Sequence, residues 1–239
     1  MPAAIRITRS TTTMRMTTDP AALLRLLAWL SPAFPTGGFA WSHGVEWAVE
    51  AGDVTDAASL GAWMEDVLRH GAGRSDTILL RHAHRAACDP DRLAEVAELA
   101  LAVQPARERL AESVGQGNAF ILAAAPWGAA PLPALAARVG DVPYPVAVGA
   151  LAGAHGIAED AVALGALQAF AANLISAAVR LIPLGQSAGL AVLAALAPTL
   201  LAVMAATREA GLESVGGACL RADIAAMRHE TQYTRLFRS

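Results

Sequence analysis

The chain has 239 residues, 55% hydrophobic and 16% charged, with a net charge of −3 at pH 7. It is long enough for a substantial core, too apolar for disorder over most of its length, and not basic enough to argue for nucleic acid as a ligand. All 18 basic residues are arginine, so the chain has neither the lysine of a Walker A phosphate loop nor an amine for Schiff-base chemistry.

Only 5% of residues are aromatic. The core must therefore be built from aliphatic residues and alanine, which favours packed helices over a sheet of β-branched residues. Cys88 and Cys219 stand far apart without a CxxC, so no disulfide framework is expected. Residues 1–19 carry Arg6, Arg9 and Arg15 among serines and threonines, with no apolar run to make a signal peptide. They read as a disordered leader, and a reducing cytoplasm is the expected home.

Asp19-Pro20 opens a helix with a capping side chain and a proline at the first helical position. Leu23, Leu26, Leu27 and Leu30 then fall on one stripe, and Ser31-Pro32 stops it. Pro35-Thr36-Gly37-Gly38 keeps the chain out of helix until about Phe39. In the helix expected next, Trp41, Val45, Ala48 and Val49 form one face. His43, Glu46, Trp47 and Glu50 form another, which is acidic. A tryptophan among like charges suits a partner-contact face, with acid–base chemistry or a hard metal ion as the competing use of the same residues.

Leu60, Trp63, Met64, Val67 and Leu68 mark a strongly amphipathic helix, with Glu65 and Arg69 paired on its wet side. Another helix runs from about Ser75 to Cys88. On it His84 and Cys88 share a face and could supply two ligands to a soft metal, with no third nearby. Leu93, Val96, Ala97 and Ala100 define a further helix, and Leu110, Val114 and Ile121 are expected to face inward on the one after Pro105. Five prolines between Pro126 and Pro145 make an internal joint, without a change of pattern that would mark a domain boundary.

From Ala161 to Thr207 the single charge is Arg180. The run nearly reaches the length of a membrane span, but alanine inserts weakly and no aromatic belt frames it, so a buried core helix is preferred. A charge alone in such a setting needs a partner, either inside the fold or across a subunit interface. The last segment sets Arg228, His229, Glu230, Gln232, Arg235 and Arg238 among Tyr233, Leu236 and Phe237. That mixture suits a segment that orders against a partner, or one folded back on its own domain.

Three stretches, SPAFPTGGFAWSHGVEWAV, VRLIPLGQSAGLAVLAALAP and DIAAMRHETQYTRLFRS, occur in this order and resemble the signature segments of the UreF family of urease accessory proteins. The last is the most specific. Trp41-Ser42 replaces a frequent Tyr-Ser and Gly44-Val45-Glu46 a frequent Gly-Leu-Glu, so a hydrogen bond from a tyrosine hydroxyl is not available here.

The resemblance implies an all-α, single compact domain of about ten helices over 20–226, followed by a partner-binding segment at 227–239. It implies a cytoplasmic homodimer with no enzymatic activity or cofactor of its own, acting without membrane or nucleic acid. Such a protein bridges a UreD/UreH-type protein and the GTPase UreG, in the complex that inserts nickel into apo-urease. Nickel and GTP are then handled by the complex and its partners. By motif position, Arg228, His229, Glu230, Gln232, Tyr233, Arg235, Leu236, Phe237 and Arg238 would meet the UreD-type partner. His43, Glu46, Trp47 and Glu50 would face UreG and influence its GTP hydrolysis. Arg180, Pro183, Gly185 and Gln186 would support the dimer or the neighbouring core. A small helical membrane protein and a metal-binding helical enzyme are the alternatives.

Overall fold

The computed structural model describes residues 19–239. The leader expected at 1–19 lies outside the described residues except for Asp19. Among the described residues there are twelve α-helices and no strand. They are Pro20–Trp29 (α1), Val45–Glu50 (α2), Ala57–His70 (α3), Ala72–Arg85 (α4), Pro90–Ala102 (α5) and Arg107–Ala123 (α6). Then follow Leu132–Val139 (α7), Tyr144–Ala154 (α8), Glu159–Leu181 (α9), Gln186–Ala195 (α10), Ala197–Ala206 (α11) and Leu220–His229 (α12).

The starts obey the capping rules. Asp19 accepts a bond from the Ala21 amide, Asp56 and Ser59 form a reciprocal capping box, and Asp89 accepts from Arg92. The stripe predicted on α3 is buried whole: Leu60, Trp63, Met64, Val67 and Leu68 all face the core. So are Leu93, Val96, Ala97 and Ala100 on α5.

Two clusters share the interior. One joins α1, α4, α5, α6, α7 and α8; the other joins α2, α3, α10, α11 and α12. Helix α9 serves both, giving Val162 and Ala163 to the first and Leu167, Ala171, Leu174, Ile175 and Ala178 to the second. It is the one described helix long and apolar enough by itself to cross a bilayer, and here it is wedged between the two clusters. In the tight α4–α8 pair, a Cβ at Gly149 or Gly153 would lie 2.2 Å from the carbonyl of Leu80 or His84. Only glycine allows that approach.

Two helices turn differently from their periodicity. On α1 the buried residues are Ala22, Leu26 and Trp29, while Leu23 and Leu27 are exposed. Trp29 has the largest area to hide and packs edge-on against Phe120 and Trp127, which rotates the leucines outward. On α6 the residues turned inward are Glu108, Arg109 and Glu112, while Leu110, Val114 and Ile121 are only partly covered. Burying three charges in place of three aliphatics requires partners for them: Arg109 and Glu112 pair with each other, and those of Glu108 lie at the other end of the chain.

Candidate functional site

The opening loop and the closing segment form one structure. After the 3-10 turn Gly38–Ala40, Trp41 is extended, and His43 and Gly44 take left-handed conformations, φ 59° and 80°. This reversal makes α2 only six residues long and removes His43 from it. Gly44 is required twice: its φ is positive, and a Cβ there would stand 2.8 Å from the Ala226 backbone nitrogen on α12.

The tail lies against this turn. The Arg238 amide donates to the Ala40 carbonyl at 2.9 Å, and the Ser42 amide to the Ser239 carbonyl at 2.7 Å. The Ser42 hydroxyl donates to the same Ser239 oxygen. Glu46, buried on α2, takes the Leu236 amide on one carboxylate oxygen at 2.6 Å and the Phe237 amide on the other at 2.9 Å. Phe237 is buried, and the Arg180 guanidinium stacks 4.3 Å from its ring centroid.

Beneath the tail is a charged interior. His229 at the end of α12 places Nε2 3.0 Å from Glu46 and Nδ1 2.7 Å from Glu108. Arg235 of the tail donates to the other oxygen of Glu108 at 2.9 Å. Arg109 pairs with Glu112, which also faces His43 at 3.6 Å. Burial, with the Arg109 charge beside it, lowers the His43 pKa from 6.5 to about 4, so this imidazole is neutral near pH 7. Burial would raise Glu112, but Arg109 and His43 together outweigh it and the carboxyl ends at about 2.

A cavity of about 230 Å³ adjoins this interior, between α4, α6, α8, α9 and the 30–39 loop. Asp76 and Arg109 line both it and a smaller one of about 190 Å³ beside His43. The hydroxyl of Ser113, at the larger cavity, has no hydrogen-bond partner. Burial, only partly offset by Arg109, raises Asp76 from 3.8 to about 6.

The structure redistributes the residues singled out in the sequence. His43 and Glu46 point inward, Trp47 is half-buried and Glu50 is exposed, so the acidic face is not one surface. His229 and Phe237 are buried, Glu230 is half-buried against the Arg107 amide, and Gln232 turns back on Thr234. Arg228, Tyr233, Arg235, Leu236 and Arg238 are exposed. With Leu220, Ile224 and Met227 of α12, Tyr233 and Leu236 place five large apolar side chains in solvent. The boundary expected at 227 falls within α12.

Arg180 is exposed, not buried as its apolar neighbourhood suggested. It caps carbonyls of Ser176 and Phe39 and covers the tail. Pro183, Gly185 and Gln186 form the exposed turn into α10. His84 bonds to the Ile157 carbonyl and lies near Glu159, while Cys88 is exposed. Among the described residues no three potential ligands gather into a metal-binding group.

The sequence reading missed Ser42, Glu108, Arg109, Glu112 and Ser239. The three on α6 had one signal, three charges within five residues in a chain where charge is scarce; the two serines had none.

Residues 54–197 match the model of the UreF family. The chain is 54% identical over 220 residues to a protein of Methylobacterium sp. (strain 4-46) called urease accessory protein UreF, covering 90% of this chain and 88% of that one. A Bradyrhizobium sp. (strain BTAi1) protein of the same name is 52% identical over 224 residues, covering 92% and 93%. A third, from Rhodopseudomonas palustris (strain BisB18), is 51% identical over 223 residues.

Proposed function

The chain belongs to the UreF family of urease accessory proteins, and from that premise we propose that it bridges a UreD/UreH-type protein and the GTPase UreG during nickel insertion into apo-urease. The observation that carries this reading is the set of large apolar side chains that α12 and the tail leave exposed. Leu220, Ile224, Met227, Tyr233 and Leu236 are exposed, while the backbone that carries the last two is anchored below by Glu46. A rigid backbone under exposed apolar and arginine side chains loses little entropy on binding, which favours a tight and specific interface. The UreD-type protein is the partner assigned to this surface.

The UreG-facing surface is assigned to Trp47 and Glu50, with His43 and Glu46 shaping it from beneath. Through it the chain modulates GTP hydrolysis by UreG, and the chain itself contributes no catalytic group. A homodimer completes the unit, with Pro183, Gly185 and Gln186 near its contact. The protein works in the cytoplasm, and nickel is the cargo of the assembly.

Tyr233→Ala combined with Leu236→Asp tests the main assignment, because both side chains are exposed and the fold does not depend on them. The double variant is expected to lose capture of the purified UreD-type protein at least tenfold, with unchanged helical circular dichroism. Wild-type capture would overturn the assignment. Glu50→Arg is expected to alter GTP turnover by UreG in the reconstituted complex; unchanged turnover would remove this surface from the mechanism.

A further inference from the structure

The 30–39 loop closes the larger cavity over α4, α6, α8 and α9. The cavity reaches solvent beside Pro32, Phe39 and Ser176, which line it and are exposed. Leu30, Leu80, Val148 and Phe170 give it apolar walls. A dry cavity of about 150 Å³ already takes a benzene ring, so a volume of about 230 Å³ suits a ring carrying a short chain.

Its spare polar atoms are mostly acceptors. Gln116 donates its amide to Glu112 at 3.3 Å, and Asn173 donates its own to the Gly38 carbonyl at 3.1 Å. Each side chain therefore keeps a carbonyl oxygen for something else. Those two oxygens and the Thr36 hydroxyl stand 3.4, 3.8 and 3.7 Å from where a Cβ on Gly38 would lie, so three oxygens gather at one part of the lining. Along the α6 wall, Ser113 is 7% exposed and its hydroxyl has no partner.

The charges are uneven as well. Arg109 lines the cavity, but its guanidinium is already paired with Glu112. Asp76 on α4 feels both of these groups through charge alone, with no hydrogen bond from a described residue. One carboxylate is thus left unmatched among apolar walls, an arrangement that favours a ligand bringing donors, a positive charge and an apolar body. A bare metal ion does not fit that description, since among the described residues no three potential ligands gather.

We propose that this cavity binds a small primary amine, with its ammonium group on Asp76 and the Ser113 hydroxyl and its apolar body along Leu80, Val148 and Phe170. An ammonium carries three donors, enough for both groups and one amide oxygen of the lining. The site is independent of the partner reading above.

The test uses the full chain, labelled with nitrogen-15, and phenethylammonium as the probe. At pH 7.5 the Asp76 carboxyl, raised by burial to about 6, is still mostly ionised. Saturable binding is expected, with amide shifts concentrated in 73–80, 109–116 and 166–176. Asp76→Asn keeps the shape of the side chain and removes its charge, and is expected to weaken binding at least tenfold with unchanged helical circular dichroism. Ala169→Leu fills the cavity and leaves Asp76 in place; it is expected to weaken binding by a similar factor. Phenylpropionate, of the same body and opposite charge, is expected not to bind, and ammonium ion alone to bind at least tenfold more weakly than the amine. Shifts scattered over the surface, or an affinity unchanged in Asp76→Asn, would overturn the proposal. So would phenylpropionate or ammonium ion binding as well as the amine.

Discussion

Two charged clusters tie distant parts of this chain together, and they differ in the groups that meet the carboxylates. In the first, Arg81 of α4 is 1% exposed and reaches Glu159 at 2.6 Å, Asp160 at 2.8 Å and the Met204 carbonyl at 2.8 Å. Arg85 and Arg208 add further bonds to the same two carboxylates. The close partners there are arginines, which stay charged at any pH a protein tolerates, with the His84 ring further off at 4.0 Å from Glu159. In the second, around Glu46 and Glu108, one position is taken by His229. The first cluster locks α4, α9 and α11 permanently. The second holds the closing segment through a buried imidazole set between Glu46 and Glu108.

The sharpest way to break the comparison is to remove Arg81. Arg81→Ala leaves Glu159 and Asp160 without their buried partner and is expected to cost about 3–5 kcal/mol, read from the urea midpoint. The loss should be the same at pH 6 and pH 9; a loss that varies with pH would erase the distinction between the clusters.

Glu46→Ala is expected to cost about 2–3 kcal/mol, since two tail amides and His229 lose their acceptor. The damage should be confined to the tail. Faster cleavage by trypsin at Arg235 and Arg238, with α3 and α9 still protected, is the expected pattern. Uniform loss of protection would contradict a local role.

Asp76→Asn sharpens the titratable side. Burial raises the folded-state pKa of Asp76 from 3.8 to about 6, so between these values the folded chain binds the extra proton. Stability from this group therefore falls as pH rises through that window and stays low above it. Asparagine removes the penalty, and a gain of about 1–2 kcal/mol is expected at pH 7.5. No gain is expected near pH 3.5. Equal effects at both values would show that the carboxyl titrates normally. Asp53→Ala breaks the solvent-exposed pair with Arg221 and should change stability by less than about 0.5 kcal/mol.

What was legible in the sequence follows the range of the interactions. On α3 the stripe from Leu60 to Leu68 is a local pattern buried by a local rule, and it was read correctly. The fold class followed in the same way from an alanine- and leucine-rich chain poor in aromatics. The orientation of α6 was not legible, because Glu108 is buried only where Arg235 and His229 reach it, 127 and 121 residues further on. Periodicity within α6 cannot contain that information. For the same reason His43 and Glu46 read as an exposed face. A left-handed residue at His43 shortens the helix, and the tail then covers what remains. The apolar run around Arg180 suggested a buried charge, whereas the guanidinium sits at the helix end over Phe237.

The opening loop and the tail are joined through buried Glu46, and the proposed recognition of the UreD-type protein depends on that joint. Titration calorimetry of the purified UreD-type protein against wild-type chain and Glu46→Ala tests this most directly, because every exposed side chain of the surface is left in place. The account predicts at least a tenfold loss of affinity, with a larger unfavourable entropy as the freed tail must be ordered again. Equal affinities would contradict it and return the tail to the status of a segment that binds without the loop.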